Sequence, residues 1–475
     1  MSDLNFAPAY NLAARIRSRD LSPVELMESC LSRIEKTNRV LNAFIAMKPE
    51  QALAEARALA DRIARGEDPG PLAGIPIGVK ELEDVEGFPS THASVPFKDC
   101  YPARDSIQVE RLRRAGGIIL GKTNSPEFGS TAFTRNLLFG VTRNPWSPER
   151  TPGGSSGGSS AAVASGMVPL ATGSDGGGSI RIPACYTGLF GMKCTFGRIP
   201  RGPFEMLEWG DTVVFGPLTR TVRDAALYLD AVVGAHPADP DSLPHPGMSY
   251  IAVLERLPPR LRIAWSPTLG YARSQPDVMR EVMTAVNVFE KLGHSVEEID
   301  DVFPQAALAW AMIAGAEVYA EIADHIEAHR SEFGRGFLAG TELMRNVTPD
   351  RYGQAQRVRA ELVNILWRLF DRYDLLLTPT LPTEAFDANG KMPAEIDGRP
   401  VESPIEFVAF TYPFNLTGHP AASVRAGFTD AGLPAGLQIV GPRHRDDLVL
   451  QASYAYECER PWNDRWPVEI PRAGG

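Results

Sequence analysis

The chain has 475 residues, 44% of them hydrophobic, with 48 basic side chains against 58 acidic ones and a net charge of −10. That length and apolar content support a large buried core, and no internal repeat or low-complexity boundary divides the chain, although length alone would suggest about three domains. The acidic balance, without a basic run or interleaved aromatic patch, argues against a nucleic-acid binder, and the five cysteines at 30, 100, 185, 194 and 458, odd in number and without CxxC spacing, fit reduced cytosolic thiols better than disulfides or a metal site.

The N-terminal stretch MSDLNFAPAYNLAARIRSRD carries charges where a signal peptide needs an apolar core,. Ser22-Pro23-Val24-Glu25 reads as a helix start, with Ser at the cap and Pro in the first turn, and residues 52–64 are strongly helical,. GIPIGVK, at 74–80, alternates and is rich in β-branched residues, which predicts a strand ending at Lys80,. Ile118, Ile119 and Leu120 predict a second apolar strand. AAVASGMVPLATG, at 161–173, predicts a tightly packed helix and then a buried strand,. Alternation continues to residue 235, and the Pro-, His- and Asp-rich 236–250 predicts a surface loop. Beyond it LRIAWSP reads as a strand, DVMREVMTAVNVFEKLG as an amphipathic helix closed by Gly293, and DLLLTPTLP as another buried strand,. The apolar run from Ala306 to Ala316 ends at Glu317 and is too short to span a bilayer,. The expectation is a cytoplasmic, membrane-free α/β protein with a mostly parallel sheet between helical layers.

Two glycine-serine clusters stand out, TPGGSSGGSS at 151–160 and GSDGGGSIRIP at 173–183. A serine hydroxyl is a weak nucleophile until a base takes its proton, and a tetrahedral intermediate needs N–H donors aimed at its oxyanion. Gly176, Gly177 and Gly178 directly precede Ser179, and residues without Cβ can take the positive φ angles that gather N–H groups into an anion nest,. With Lys80 upstream, these clusters resemble the amidase signature family, hydrolases that cut amide bonds with two serines and a lysine. LFGVTRNPW at 138–146, GKTNSPEF at 121–128, GLFGMKCTFGRIP at 188–200 and GLPAGLQIVGPRHRDD at 432–447 follow in family order.

The resemblance implies a large mixed sheet sandwiched by helices, as one domain over 1–475. Within it, 1–65 would hold N-terminal helices, 70–235 the catalytic core, 250–400 a variable substrate wall and 401–475 the return to the core. It implies Ser179 as nucleophile, the amides of Gly176 through Ser179 as oxyanion hole, Ser155 in a cis peptide as proton relay and Lys80 as base. A lysine accepts a proton only when neutral, so burial has to lower its pKa. No cofactor and no metal is implied; the partner is a small-molecule amide or carbamate, with a homodimer as the assembly considered. Three positions depart from the family pattern: Glu81 where Asp is common, expected on the strand face away from Lys80; Cys194 where a proline is usual; and Gly176 where a larger residue usually opens the oxyanion turn.

Residues 129–134 (GSTAFT), beginning at Gly129, match the segment lining the acyl pocket in relatives, and 305–350 the substrate wall. Phe133, Trp310, Met312, Ile313, Phe333, Phe337 and Met344 in these stretches suggest an apolar or aromatic substrate: aryl amide, anilide, carbamate or ester. Three rival functions remain in the sequence. GGIILGKT at 116–123 satisfies the P-loop pattern, with Lys122 and Thr123 as phosphate and magnesium ligands, but its apolar run reads as strand and Pro126 stands where a helix should begin,. Gly153-Gly154-Ser155-Ser156-Gly157 fits a nucleophile elbow, with His419 or His444 as partner, yet prolines at 145, 148 and 152 precede it where a strand is required,. The third is the glutamine-hydrolysing subunit of the tRNA amidotransferase, whose YDGVRYG-like string is replaced here by DHIEAHRSEFGRGF.

Overall fold

The computed structural model describes residues 4–204, 209–256, 258, 260–300 and 302–470. The first long helix starts where its cap demands: Pro23–Leu41 (α1) is entered through a capping box in which Ser22 accepts a first-turn amide and Glu25 reaches back to the Ser22 N–H at 2.9 Å,. Pro49–Ala64 (α2) follows.

Eleven strands among the described residues form one sheet: β1 (Phe44–Met47), β2 (Pro76–Lys80), β3 (Ile118–Thr123), β4 (Leu170–Asp175), β5 (Phe190–Lys193), β6 (Val214–Thr219), β7 (Arg262–Trp265), β8 (Ser295–Glu298), β9 (Leu375–Pro379), β10 (Ala421–Phe428) and β11 (Pro434–Val440). Their spatial order is β1-β3-β2-β4-β6-β5-β10-β11-β9-β7-β8. The large mixed sheet between helices is therefore present. Its parallel pairings lie in two wings, β3-β2-β4 and β9-β7-β8, where helical crossovers separate the strands, and the centre is antiparallel,. The loop at 236–250 and the strands and helices expected at 161–173, 261–267, 277–293 and 374–382 form as read.

Successive strand side chains point to opposite faces, and both faces are covered. Leu170, Ile119, Leu375 and Leu377 join one core with Val222–Val232 (α5), Pro276–Lys291 (α6) and Asp446–Glu459 (α9). Their neighbours Ala171, Ile118 and Leu120 pack with Gly157–Ala164 (α3). Leu376 and Ala264 pack with Ala307–His329 (α7) and Pro349–Arg372 (α8). Adjacent parallel strands β2 and β4 both end at one edge, at Lys80 and Asp175. Clefts at the carboxyl ends of such strands are where open α/β sheets hold ligands.

Candidate active site

Lys80, the last residue of β2, is buried, and its Nζ donates to Ser155 Oγ at 2.7 Å, to Ser174 Oγ at 2.8 Å and to the Ser174 carbonyl at 3.3 Å. Its own amide donates to Thr172 Oγ1 at 3.0 Å, and that hydroxyl donates to Glu83. Glu81 lies elsewhere: its carboxylate accepts from the Thr91 amide and hydroxyl, as the alternation of strand faces requires,. Ser155 enters through a cis Gly154–Ser155 peptide, just before α3. The Ser156 amide donates to the Ser179 carbonyl at 3.2 Å, which ties the two glycine-serine clusters together. Gly129, at φ +68°, passes so close that a Cβ there would stand 3.1 Å from Ser155 Oγ.

The turn after β4 has all its carbonyls occupied. Asn415 Nδ2 donates to the Asp175 carbonyl at 2.7 Å, Trp310 Nε1 to Gly176 at 2.7 Å, Thr411 Oγ1 to Gly177 at 2.7 Å and the Ile182 amide to Gly178 at 2.7 Å. In a trans peptide the C=O and the next N–H point in opposite directions, so each bond fixes the aim of the following amide. The Gly178 N–H is aimed inward at Asp175 Oδ1, 2.7 Å away. This corrects one expectation: the Gly178 amide is committed within the turn, which leaves Gly176, Gly177 and Ser179 as the residues of the turn that border the cavity. Glycine at 176 is explained locally, since a Cβ there would meet Val213 Cγ2 at 2.9 Å.

Beneath the turn lies an ion pair without solvent contact. Arg181, at the start of Arg181–Thr187 (α4), holds Asp175 through Nε and Nη2, at 3.0 and 2.9 Å, and also reaches Thr411 O, Gln438 Oε1 and Asn415 Oδ1. Burial would raise the Asp175 carboxyl, but Arg181, Lys193 and Asn415 outweigh it and hold it well below the usual carboxylate range,.

Ser155, Ser174 and Ser179 open on a cavity of about 370 Å³. Gly129 to Phe133 line it, as the sequence suggested, together with Trp310. The other wall residues expected from 305–350 do not. Met312 and Ile313 sit in the core between α7 and α8; Phe333 stacks on Phe337, which stacks in turn on Phe128; Met344 packs against Gly315. Helical spacing places Met312, Ile313, Phe337 and Met344 on the inner faces of α7 and the helix 335–345, and Phe333 packs from the turn just before that helix, where packing has first claim on apolar side chains. Leu82, Ile182, Trp209, Val213, Met392, Ile405 and Val408 take their place. None of these had a local signal, because they come from five separate segments. Among the described residues lining the cavity, none carries a charged side chain.

The rival motifs are accounted for by packing. Lys122 lies within β3, its ammonium donating to the carbonyls of Glu83 and Pro89 and to Ser90 Oγ, and burial lowers its pKa. Thr123 Oγ1 pairs with Ser159. Residues 151–154, which lead into Ser155, form no strand. His419 bonds Thr417 Oγ1 through Nδ1 and stacks on Phe370, with burial, Lys193 and Arg443 pulling its pKa down to about 3; the His444 amide bonds Thr195. Cys194 and Cys185 are buried thiols, Cys185 pushed up to about 12 by burial. Among the described residues no helix is long and apolar enough to cross a membrane.

The amidase family profile matches residues 25–450. The chain is 36% identical to an acylamidase of Rhodococcus erythropolis over 473 residues, 98% of either chain. It is also 36% identical to a glutamyl-tRNA(Gln) amidotransferase subunit of Geobacillus kaustophilus over 482 residues, 95% of this chain and 97% of that one. The crystal structure of a bacterial aryl acylamidase superposes with a TM-score of 0.92 at 33% identity, over 99% of this chain and 100% of the other. The chain belongs to the amidase signature family.

Proposed function

We propose that the chain hydrolyses the C–N bond of small apolar amides through an acyl-enzyme on Ser179. In this reading neutral Lys80 draws the proton of Ser155 Oγ, Ser155 draws that of Ser179, and Ser179 Oγ adds to the carbonyl carbon. The oxyanion is held by the amides of Gly176, Gly177 and Ser179. On collapse the C–N bond breaks and the leaving nitrogen takes the proton back through Ser155; water then repeats the sequence to release the acid. Carbamates and esters share this tetrahedral path. The observation that carries the reading is the Lys80 Nζ to Ser155 Oγ bond of 2.7 Å inside a buried pocket that opens on the same cavity as Ser179.

That cavity selects the substrate. Glutamine bears an α-ammonium and an α-carboxylate whose desolvation needs charged partners, and the described lining, with Phe133, Trp209, Trp310, Met392, Ile405 and Val408, has none to give. An apolar acyl or aryl group fits it, which favours the acylamidase reading over the amidotransferase one. The test is turnover by the purified chain of anilides, carbamates, esters, short amides and glutamine. Hydrolysis of apolar anilides or carbamates with negligible glutaminase is expected. Glutaminase alone, appearing only when a partner protein is added, would reverse the assignment.

A further inference from the structure

Trp310 stands in the first turn of α7, its amide bonded to the Ala306 carbonyl at 2.8 Å. Its ring lies against Tyr412, centroids 5.9 Å apart, and a Cβ on Gly177 would come within 2.3 Å of its Cζ2. The indole thus borders the cavity, packs directly on the Gly177 backbone and donates its N–H to the Gly176 carbonyl. That carbonyl belongs to the same peptide unit as the Gly177 N–H.

We propose that Trp310 is the positioning residue of the oxyanion turn: by holding the Gly176 carbonyl it fixes the aim of the Gly177 N–H. The inference rests on the acyl-enzyme reading above. The other three peptides of the turn are held from elsewhere, by Asn415, Thr411 and the Ile182 amide. Ile182 also lines the cavity but holds Gly178 through its backbone amide; among the described residues, only the Gly176–Gly177 unit is held by a side chain that also touches the substrate space. An acyl group pressed on the indole therefore bears on the donor that stabilises its own transition state. A wall residue contributes to binding alone, whereas this one contributes to the chemical step.

The test is Trp310→Phe, which keeps an aromatic wall and removes the donor, with benzothienylalanine at 310 as a second variant that replaces the N–H by sulfur in an isosteric ring. We expect kcat on an anilide to fall about tenfold, the scale of one neutral hydrogen bond, with KM within about twofold. Affinity for a trifluoromethyl ketone, which presents an oxyanion once Ser179 adds, should fall by the same factor, while the carboxylic acid product binds as before. Unchanged kcat and ketone affinity in the benzothienylalanine protein, or a change confined to KM, overturns the inference. If the wild type neither turns over amides nor adds the ketone, the acyl-enzyme reading itself has failed; if it does both and the variants match it, only the role of Trp310 has.

Discussion

At the residue scale, the proposed base Lys80 has to lose its proton before it can act. Lys80→Arg keeps the charge and the reach but cannot act as a base at any working pH, so we expect kcat to fall at least a thousandfold, as for Lys80→Ala, measured as anilide turnover. A second lysine calls for a control: Lys193 is pulled down to about 7 by burial and by Arg181, and its Nζ donates to the Cys194 carbonyl away from the cavity. A pH profile alone would not separate the two lysines. Folded Lys193→Met protein should keep its turnover, and its inactivity would move the base assignment. Gly177→Ala must displace the Trp310 indole, and we expect at least a tenfold loss in kcat at a modest loss of stability,. Lys80, Ser155 and Ser179 could be singled out because each sits in a short string with a chemical reason for its composition, and the fold brings Lys80 onto Ser155 and sets Ser155 and Ser179 on one cavity. The commitment of the Gly178 amide to Asp175 was not, since it depends on which way one peptide faces, and neither was Trp209 or Met392, whose approach to the cavity is set by packing.

At the element scale the segment that carries Ser179 is a strand, a tight turn and a short helix clamped by one buried pair. Asp175, the last residue of β4, accepts the Gly178 and Ile180 amides and the Arg181 guanidinium with no solvent contact. Asp175→Ala would strand the Arg181 charge and three amides, those of Gly178, Ile180 and Arg181, a loss of about 3–5 kcal/mol, which denaturant unfolding would register together with inactivity. Sequence patterns announced these elements well: the capping box of α1, the strand ending at Lys80 and the helix closed by Gly293 all depend on residues a few positions apart. Strand order was another matter. Alternating strands and helices suggested parallel pairing, and the wings obey it, but β5 returns beside β6 and the C-terminal hairpin β10-β11 docks on β5, joining residues more than 200 positions apart. Local composition carries no record of that partner choice.

At the scale of the whole molecule, buried titratable groups away from the cavity shape stability. Glu457 on α9 accepts the Val222 amide at the head of α5, at 3.0 Å, and burial, aided by Asp224, pushes its carboxyl from 4.5 up to about 7. The folded protein therefore holds this proton more tightly than the unfolded chain. Its contribution is full below about pH 4.5 and is lost as pH rises through 7. Glu457→Gln, which retains an acceptor for Val222, should be about 1–3 kcal/mol more stable than the wild type at pH 8 and show little gain at pH 5; equal gains at both would remove the charge argument. Length, charge and motif order were enough to anticipate a large α/β hydrolase, while the apolar cavity needed the assembled fold. The most direct measurement is the site of covalent labelling: the wild type treated with a fluorophosphonate and mapped by peptide mass spectrometry. A single adduct on Ser179 in the GSDGGGSIR segment is the predicted result, and an adduct on Ser155, or turnover persisting in Ser179→Ala, would contradict the account.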